Sequence, residues 1–167
     1  TNPKTEYAKG QYLADFLTDK AVDFITRHKD EPFFLYFPMC PPHEPVAPSP
    51  DYVGKSGAQD LVKKNPLYGD WVFQGDAMLG QLMDALERNH LADNTLIILS
   101  SDNGPEVASA VHMRADHAHD GAKPWRGIKR DAWEGGHRVP FIVRWPGKVK
   151  AGTTSDQTHC LTDIMAT

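Results

Sequence analysis

The sequence predicts an α/β fold, a mostly parallel sheet with helices on both faces, and three observations support it. An amphipathic helical pattern is twice followed by a short apolar run, both runs are continuous as in strands buried on two faces, and a long loop leaves each of them. Helices alternating with buried strands imply right-handed crossovers and a sheet covered on both sides.

The first helix is read over 12–28, where Leu13, Phe16, Leu17, Val22, Phe24 and Ile25 recur mostly at three- and four-residue spacings. Pro32 leads into FFLYF (33–37), the first strand, and 38–67 is a long loop rich in Pro and Gly. A second helical pattern covers 68–89, with Val72, Leu79, Leu82, Met83 and Leu86 on one face, and LADN joins it to the strand TLIIL (95–99). The second long loop, 100–138, carries most of the polar and charged residues. VPFIVRW (139–145) is a third apolar stretch closed by the turn Pro146-Gly147, and LTDIMAT (161–167) reads as the start of another helix. In open sheets of this class ligands sit beyond the carboxyl ends of the strands, where both long loops emerge. Loops of that length without regular structure are uncommon unless they serve a site.

Composition narrows the function. A chain of 167 residues, 40% hydrophobic and 24% charged, fits one soluble domain. A formal net charge of −4 provides no broad basic field, which argues against nucleic acid or an anionic membrane as the main partner. No run approaches the ~18 apolar residues of a membrane span, and the opening TNPKTEYAKG has no signal-peptide core. Two cysteines, Cys40 and Cys160, are too few to identify a redox compartment.

Three loop segments carry candidate chemistry. In SSDNGPE (100–106), Asp102 and Asn103 offer hard oxygen donors where a strand ends, and Gly104-Pro105 turns the chain so that both could face one ion, calcium or magnesium. By residue types alone an Asx-type turn is the commoner reading of the segment, and two ligands do not fill a calcium shell of 6–8 oxygens. In KPWRGIKRDAWEGGHRVP (123–140), Lys123, Arg126, Lys129, Arg130 and Arg138 form a dense cationic stretch among glycines, suited to an anion such as sulfate or phosphate, or else a solvated basic loop. VHMRADHAHDG (111–121) holds His112, His117, His119 and Asp120, but the spacing is not that of a zinc site, and exposed histidines are the simpler reading. GKS at 54–56 lacks the glycine of a phosphate-cradling loop, since Ser49 stands at that position. In PMCPPHEP (38–45), Cys40 and His43 lie three residues apart on a proline-stiffened segment, awkward for a nucleophile–base pair.

Taken in order, GQYLADFLTDKAVDFI, PFFLYFPMCPPHEP, YGDWVFQGDAMLGQLMDAL, NTLIILSSDNGPE, RGIKRDAWEGGHRVPFIVRWPG and LTDIMAT resemble the type I sulfatases of the alkaline-phosphatase superfamily. The shared order is more specific than any one motif, and SDNGPE with RGxKxxxWEGGxRVP is the strongest part. The resemblance implies that Asp102 and Asn103 help hold a calcium ion. It makes Lys129, five residues before the EGG, a contact of the substrate sulfate. It makes His43 a sulfate contact and the proton donor to the leaving oxygen. Glu134, Gly135 and Gly136 would shape the loop, and Arg138 and Pro140 would set the entry to the next strand.

The family's nucleophile is a formylglycine made from the cysteine or serine of a C/S-x-P-S-R element. Cys40-Pro41-Pro42 begins like it but continues His43-Glu44, so Cys40 is not that residue. The resemblance therefore implies that 1–167 is a central part of a sulfatase catalytic domain, lacking its N-terminal nucleophile region and its C-terminal portion. The parent protein would cleave a glycan or small-molecule sulfate ester, in the periplasm or outside the cell, with the remaining part of the domain as partner. A phosphomonoester or phosphonate hydrolase of the same superfamily, and a catalytically silent fragment or binding module, are the alternatives. The isolated chain is expected to be inactive.

Overall fold

The structure, a computed structural model, describes residues 10–58, 67–107, 110–111, 113–117 and 120–166. Helix α1 (Leu13–Arg27) carries Asp15 in its first turn and Arg27 in its last, each matched to the helix dipole. Ala14, Thr18, Ala21 and Ile25 form its buried stripe, at spacings of four and three. Helix α2 (Tyr68–Arg88) buries Asp70, Trp71, Gln74, Met78, Leu82, Ala85 and Leu86 on the matching face. The two helices pack together around Ala21, Ile25, Leu82, Ala85, Leu86 and Ala92, the small alanines allowing close approach.

FFLYF differs from the expectation, because no strand is assigned to it among the described residues. Its burial alternates with a period of two: Phe33, Leu35 and Phe37 pack on the core between the helices, while Phe34 and Tyr36 are 81% and 77% exposed. A continuous apolar run thus behaves as a segment covered on one face, since strand assignment needs a hydrogen-bonded neighbour and none is present among the described residues.

The sheet is also a correction in detail. Strands β1 (Ile97–Ser100) and β2 (Phe141–Arg144) pair antiparallel, Ile97 opposite Arg144 and Ser100 opposite Phe141, so the mostly parallel arrangement is not displayed among the described residues. The final apolar segment forms a 3₁₀ turn, Leu161–Ala166. Between the strands run two short helices, α3 (Met113–His117) and α4 (Glu134–His137).

The first long loop is anchored by polar groups that an apolar periodicity cannot reveal. Asp70, fully buried on α2, accepts from the amides of Gly54 and Ser56, both at 2.9 Å, and from the Ser56 hydroxyl at 2.6 Å. The GKS segment thus spends two amides on a carboxylate of its own chain. One turn on, Gln74 accepts from the Ser49 amide at 2.9 Å and donates to Asp15 of α1 at 2.8 Å. Every bond replaces water lost on burial, so α2 fixes the loop with little unpaired polarity.

Candidate functional site

His43 is placed by its neighbours' burial. Met39 and Cys40 pack against Ala14, Trp71 and Met78, and Pro41 is buried so close to α2 that a Cβ on Gly75 would meet its ring at 3.1 Å. With the apolar members of the turn turned inward, His43 projects outward and is exposed. Its amide donates to the Cys40 carbonyl at 2.9 Å, and its own carbonyl accepts from the buried Trp71 indole N–H at 2.8 Å. Trp71 is the support that reading the sequence missed; it lies outside the apolar face read for this helix, and nothing local marks its indole for a carbonyl 28 residues away.

Asp102 and Asn103 follow β1 directly. Asp102 is exposed, and Asn103 donates its amide nitrogen to the Gly104 carbonyl at 2.9 Å, directing its oxygen elsewhere. The next residues are stitched to the second loop. The Gly104 amide donates to Gly136 at 2.9 Å, the Lys129 amide to Pro105 at 2.9 Å, and the Gly135 amide to Arg126 at 2.8 Å. Gly104 and Gly135 have to be glycine, because a Cβ on Gly104 would collide with the Gly135 carbonyl and one on Gly135 with the Gly127 carbonyl. SDNG and EGG are therefore two halves of one backbone knot.

The cations of this loop are largely engaged. Arg126 lies 4.0 Å over the Trp133 ring and Arg138 4.0 Å over Trp125. Arg130 grips Glu106 with both guanidinium nitrogens, at 2.8 and 2.6 Å. The Arg130 hydrogen bond, with the Val107 amide, holds the Glu106 carboxyl down at about 2. Lys129 instead reaches out of the knot to His43, its Nζ 3.2 Å from Nε2. Residues 86 positions apart, singled out separately in the sequence, thus meet.

The partners fix the histidine tautomer. Nδ1 lies 2.6 Å from the Glu44 carbonyl, which can only accept, and Nε2 faces an ammonium, which can only donate. His43 accordingly carries its proton on Nδ1 and offers the Nε2 lone pair to Lys129. An oxygen accepting from both Lys129 and Nε2 at about 2.8 Å needs the nitrogens about 4.5 Å apart, so the flexible lysine stem has to shift by roughly 1–1.5 Å to admit an anion.

Asp102 and Asn103 supply the donor chemistry calcium prefers, oxygen from a carboxylate and an amide, and are compatible with it as two of its ligands. Among the described residues no group of three or more His, Cys, Asp or Glu side chains converges as a metal site. His112 and His119 lie outside the described residues, as does the His117 side chain. Asp120 is paired with Arg114 at 2.7 Å and accepts from the Ala122 amide at 3.1 Å. Desolvation pushes its carboxyl up, and these contacts outweigh it, leaving a net lowering. Cys40 and Cys160 are unpaired thiols; burial raises the Cys40 pKa, which keeps it in the unreactive thiol form.

A family model described as Sulfatase matches residues 1–167. The N-acetylgalactosamine-6-O-sulfatase of Bacteroides thetaiotaomicron is 41% identical over 153 residues, covering 90% of this chain and 29% of that protein. Of solved structures, the PsFucS1 sulfatase from Pseudoalteromonas sp. superposes with a TM-score of 0.68 at 34% identity, over 88% of this chain and 28% of that one. Ps i-CgsB in complex with k-i-k-neocarrahexaose gives a TM-score of 0.73 at 31% identity, over 90% of this chain and 32% of that one. The chain thus spans under a third of the length of the proteins it matches. With a family match from end to end and a fold shared with a solved sulfatase, this chain belongs to the sulfatase family.

Proposed function

We propose that the protein carrying this chain hydrolyses sulfate esters, and that His43 and Lys129 handle the sulfate. The observation that carries this is their meeting at 3.2 Å on the exposed rim of the two long loops. An anionic sulfuryl group entering between them accepts from Lys129 in place of Nε2, which frees the Nε2 lone pair to take up a proton from solvent and pass it to the departing alcohol oxygen. Charge on the sulfuryl oxygens is then met by an ammonium already poised on a rigid backbone knot.

Asp102 and Asn103 would hold a calcium ion, which supplies electrostatic stabilisation of negative charge on the sulfate when bound. The nucleophile in this reading is a formylglycine outside this chain, with 1–167 forming part of a larger catalytic domain. Within that domain FFLYF joins a mostly parallel sheet, a reading supported by its period-two burial and the bare Phe34 and Tyr36. A sugar sulfate is the favoured substrate class, supported by the 41% identity to a relative named for N-acetylgalactosamine-6-O-sulfate chemistry.

The test is turnover of 4-nitrophenyl sulfate and 4-nitrophenyl phosphate by the full-length protein and its Lys129→Ala variant. Preference for the sulfate ester, with kcat/KM lowered at least ~100-fold by the substitution, is the expected result. Preference for the phosphate ester, or an unchanged rate in Lys129→Ala, would refute the proposal.

A further inference from the structure

Arg130 sits in a backbone conformation that favours glycine, with φ at +78°. An L-residue is strained there, and glycine would relieve the strain at no steric cost. The side chain offsets that strain through its contact with Glu106, reached by two hydrogen bonds at 2.8 and 2.6 Å across 24 residues of sequence. Glu106 is in turn oriented by the Val107 amide, which donates to it at 2.7 Å. The immediate neighbours are bound too, since the Lys129 amide donates to Pro105 at 2.9 Å. Residues 105–106 therefore hold residues 129–130 at two points, one through the backbone and one through paired side chains. Between those points rises the Lys129 stem that reaches His43.

We propose that Glu106 and Arg130 are positioning residues for Lys129, a clamp that sets where its ammonium meets the sulfate. Neither touches the reacting atoms in this arrangement. The 129–130 peptide is the centre of a turn closed by the Asp131 amide on the Ile128 carbonyl at 2.9 Å and by the Ile128 amide on the Asp131 carboxylate at 3.0 Å, and the Glu106–Arg130 pair adds a second attachment of that turn to 105–106, beside the Lys129–Pro105 bond. The Glu106 carboxylate also feels the Lys129 charge, so it keeps a compensating anion beside two adjacent cations. The inference rests on the reading of Lys129 as a sulfate contact.

The experiment measures kcat, KM and inhibition by inorganic sulfate in the full-length protein for Glu106→Ala, Glu106→Asp, Arg130→Gly, the double variant Glu106→Ala/Arg130→Gly, and Lys129→Ala. Arg130→Gly relieves the backbone strain, so it remains folded while losing the clamp. Glu106→Ala and Arg130→Gly are each expected to weaken sulfate inhibition and kcat/KM by about tenfold, the double variant no further, and Glu106→Asp less. A merely structural role lowers the active fraction, and with it kcat, while the sulfate inhibition constant stays unchanged. If Lys129→Ala weakens sulfate inhibition but the clamp variants do not, the clamp is overturned and the assignment of Lys129 stands. If Lys129→Ala also leaves sulfate inhibition unchanged, the site reading falls and the clamp with it.

Discussion

Trp71→Phe separates the support of His43 from the chemistry of His43 itself. The indole is 3% exposed, and its N–H donates at 2.8 Å to the His43 carbonyl. The Cys40 and Glu44 contacts of His43 lie inside its own turn, so Trp71 ties that turn to α2. Phenylalanine keeps an aromatic ring against Ala14 and Met78 but loses the donor. The lost hydrogen bond costs about 1 kcal/mol, because the exposed side of the turn lets water reach the carbonyl. The smaller ring leaves a gap worth about 1–2 kcal/mol more. Urea unfolding of the full-length protein should therefore show a loss of about 2–3 kcal/mol. Steady-state turnover of 4-nitrophenyl sulfate should fall about tenfold in kcat from looser placement of the imidazole. In a His43→Ala background the same substitution should leave the residual rate unchanged. Full kcat in Trp71→Phe, or an equal rate loss without His43, would mean that the indole does not act through His43.

Three further outcomes follow from the same geometry. Asp70→Asn keeps one oxygen for the Ser56 pair but sets an NH₂ group against the Gly54 amide, so denaturant unfolding should show a loss of at least about 2 kcal/mol. Alkylation with iodoacetamide should label Cys160 before Cys40, because a hydrogen bond from Thr162 lowers the pKa of the exposed Cys160 while burial raises that of Cys40. The Glu106 carboxyl falls from its ordinary 4.5 to about 2 on folding, so its stabilising contribution is complete above pH 4.5 and is lost as pH falls towards 2. The stability gap between the parent protein and Glu106→Gln, followed by acid titration of unfolding, should close across that window.

The two long helices were legible in extent, α1 and α2 falling within a residue of the predicted limits, but not fully in face: Leu13 and Val72, read as apolar-face residues, are exposed, and the buried stripes take in the polar Thr18, Asp70 and Gln74, whose partners lie elsewhere in the chain. FFLYF was read as a strand buried on both faces, and among the described residues it is an unpaired segment covered on one face, because pairing and cover depend on which segment lies alongside and the sequence pattern carries no such information. The same gap hid the antiparallel pairing of β1 and β2, which lie over forty residues apart. Both polar loops were marked by their turn residues, and the residue types at His43, Lys129, Asp102 and Asn103 pointed to an anion and a hard cation. What the loops hid was their mutual fastening. The Gly104–Gly136 bond, the Glu106–Arg130 pair and the indole beneath His43 are each long-range contacts between residues with ordinary local roles.

Whether His43 and Lys129 act on one and the same anion is decided by a double-mutant cycle on the full-length protein. With His43→Ala, Lys129→Ala and the double variant assayed against 4-nitrophenyl sulfate, a shared anion gives strong non-additivity, the double variant falling within a fewfold of the slower single variant. Losses that multiply across the cycle would show the two side chains acting independently, and would contradict a shared anion.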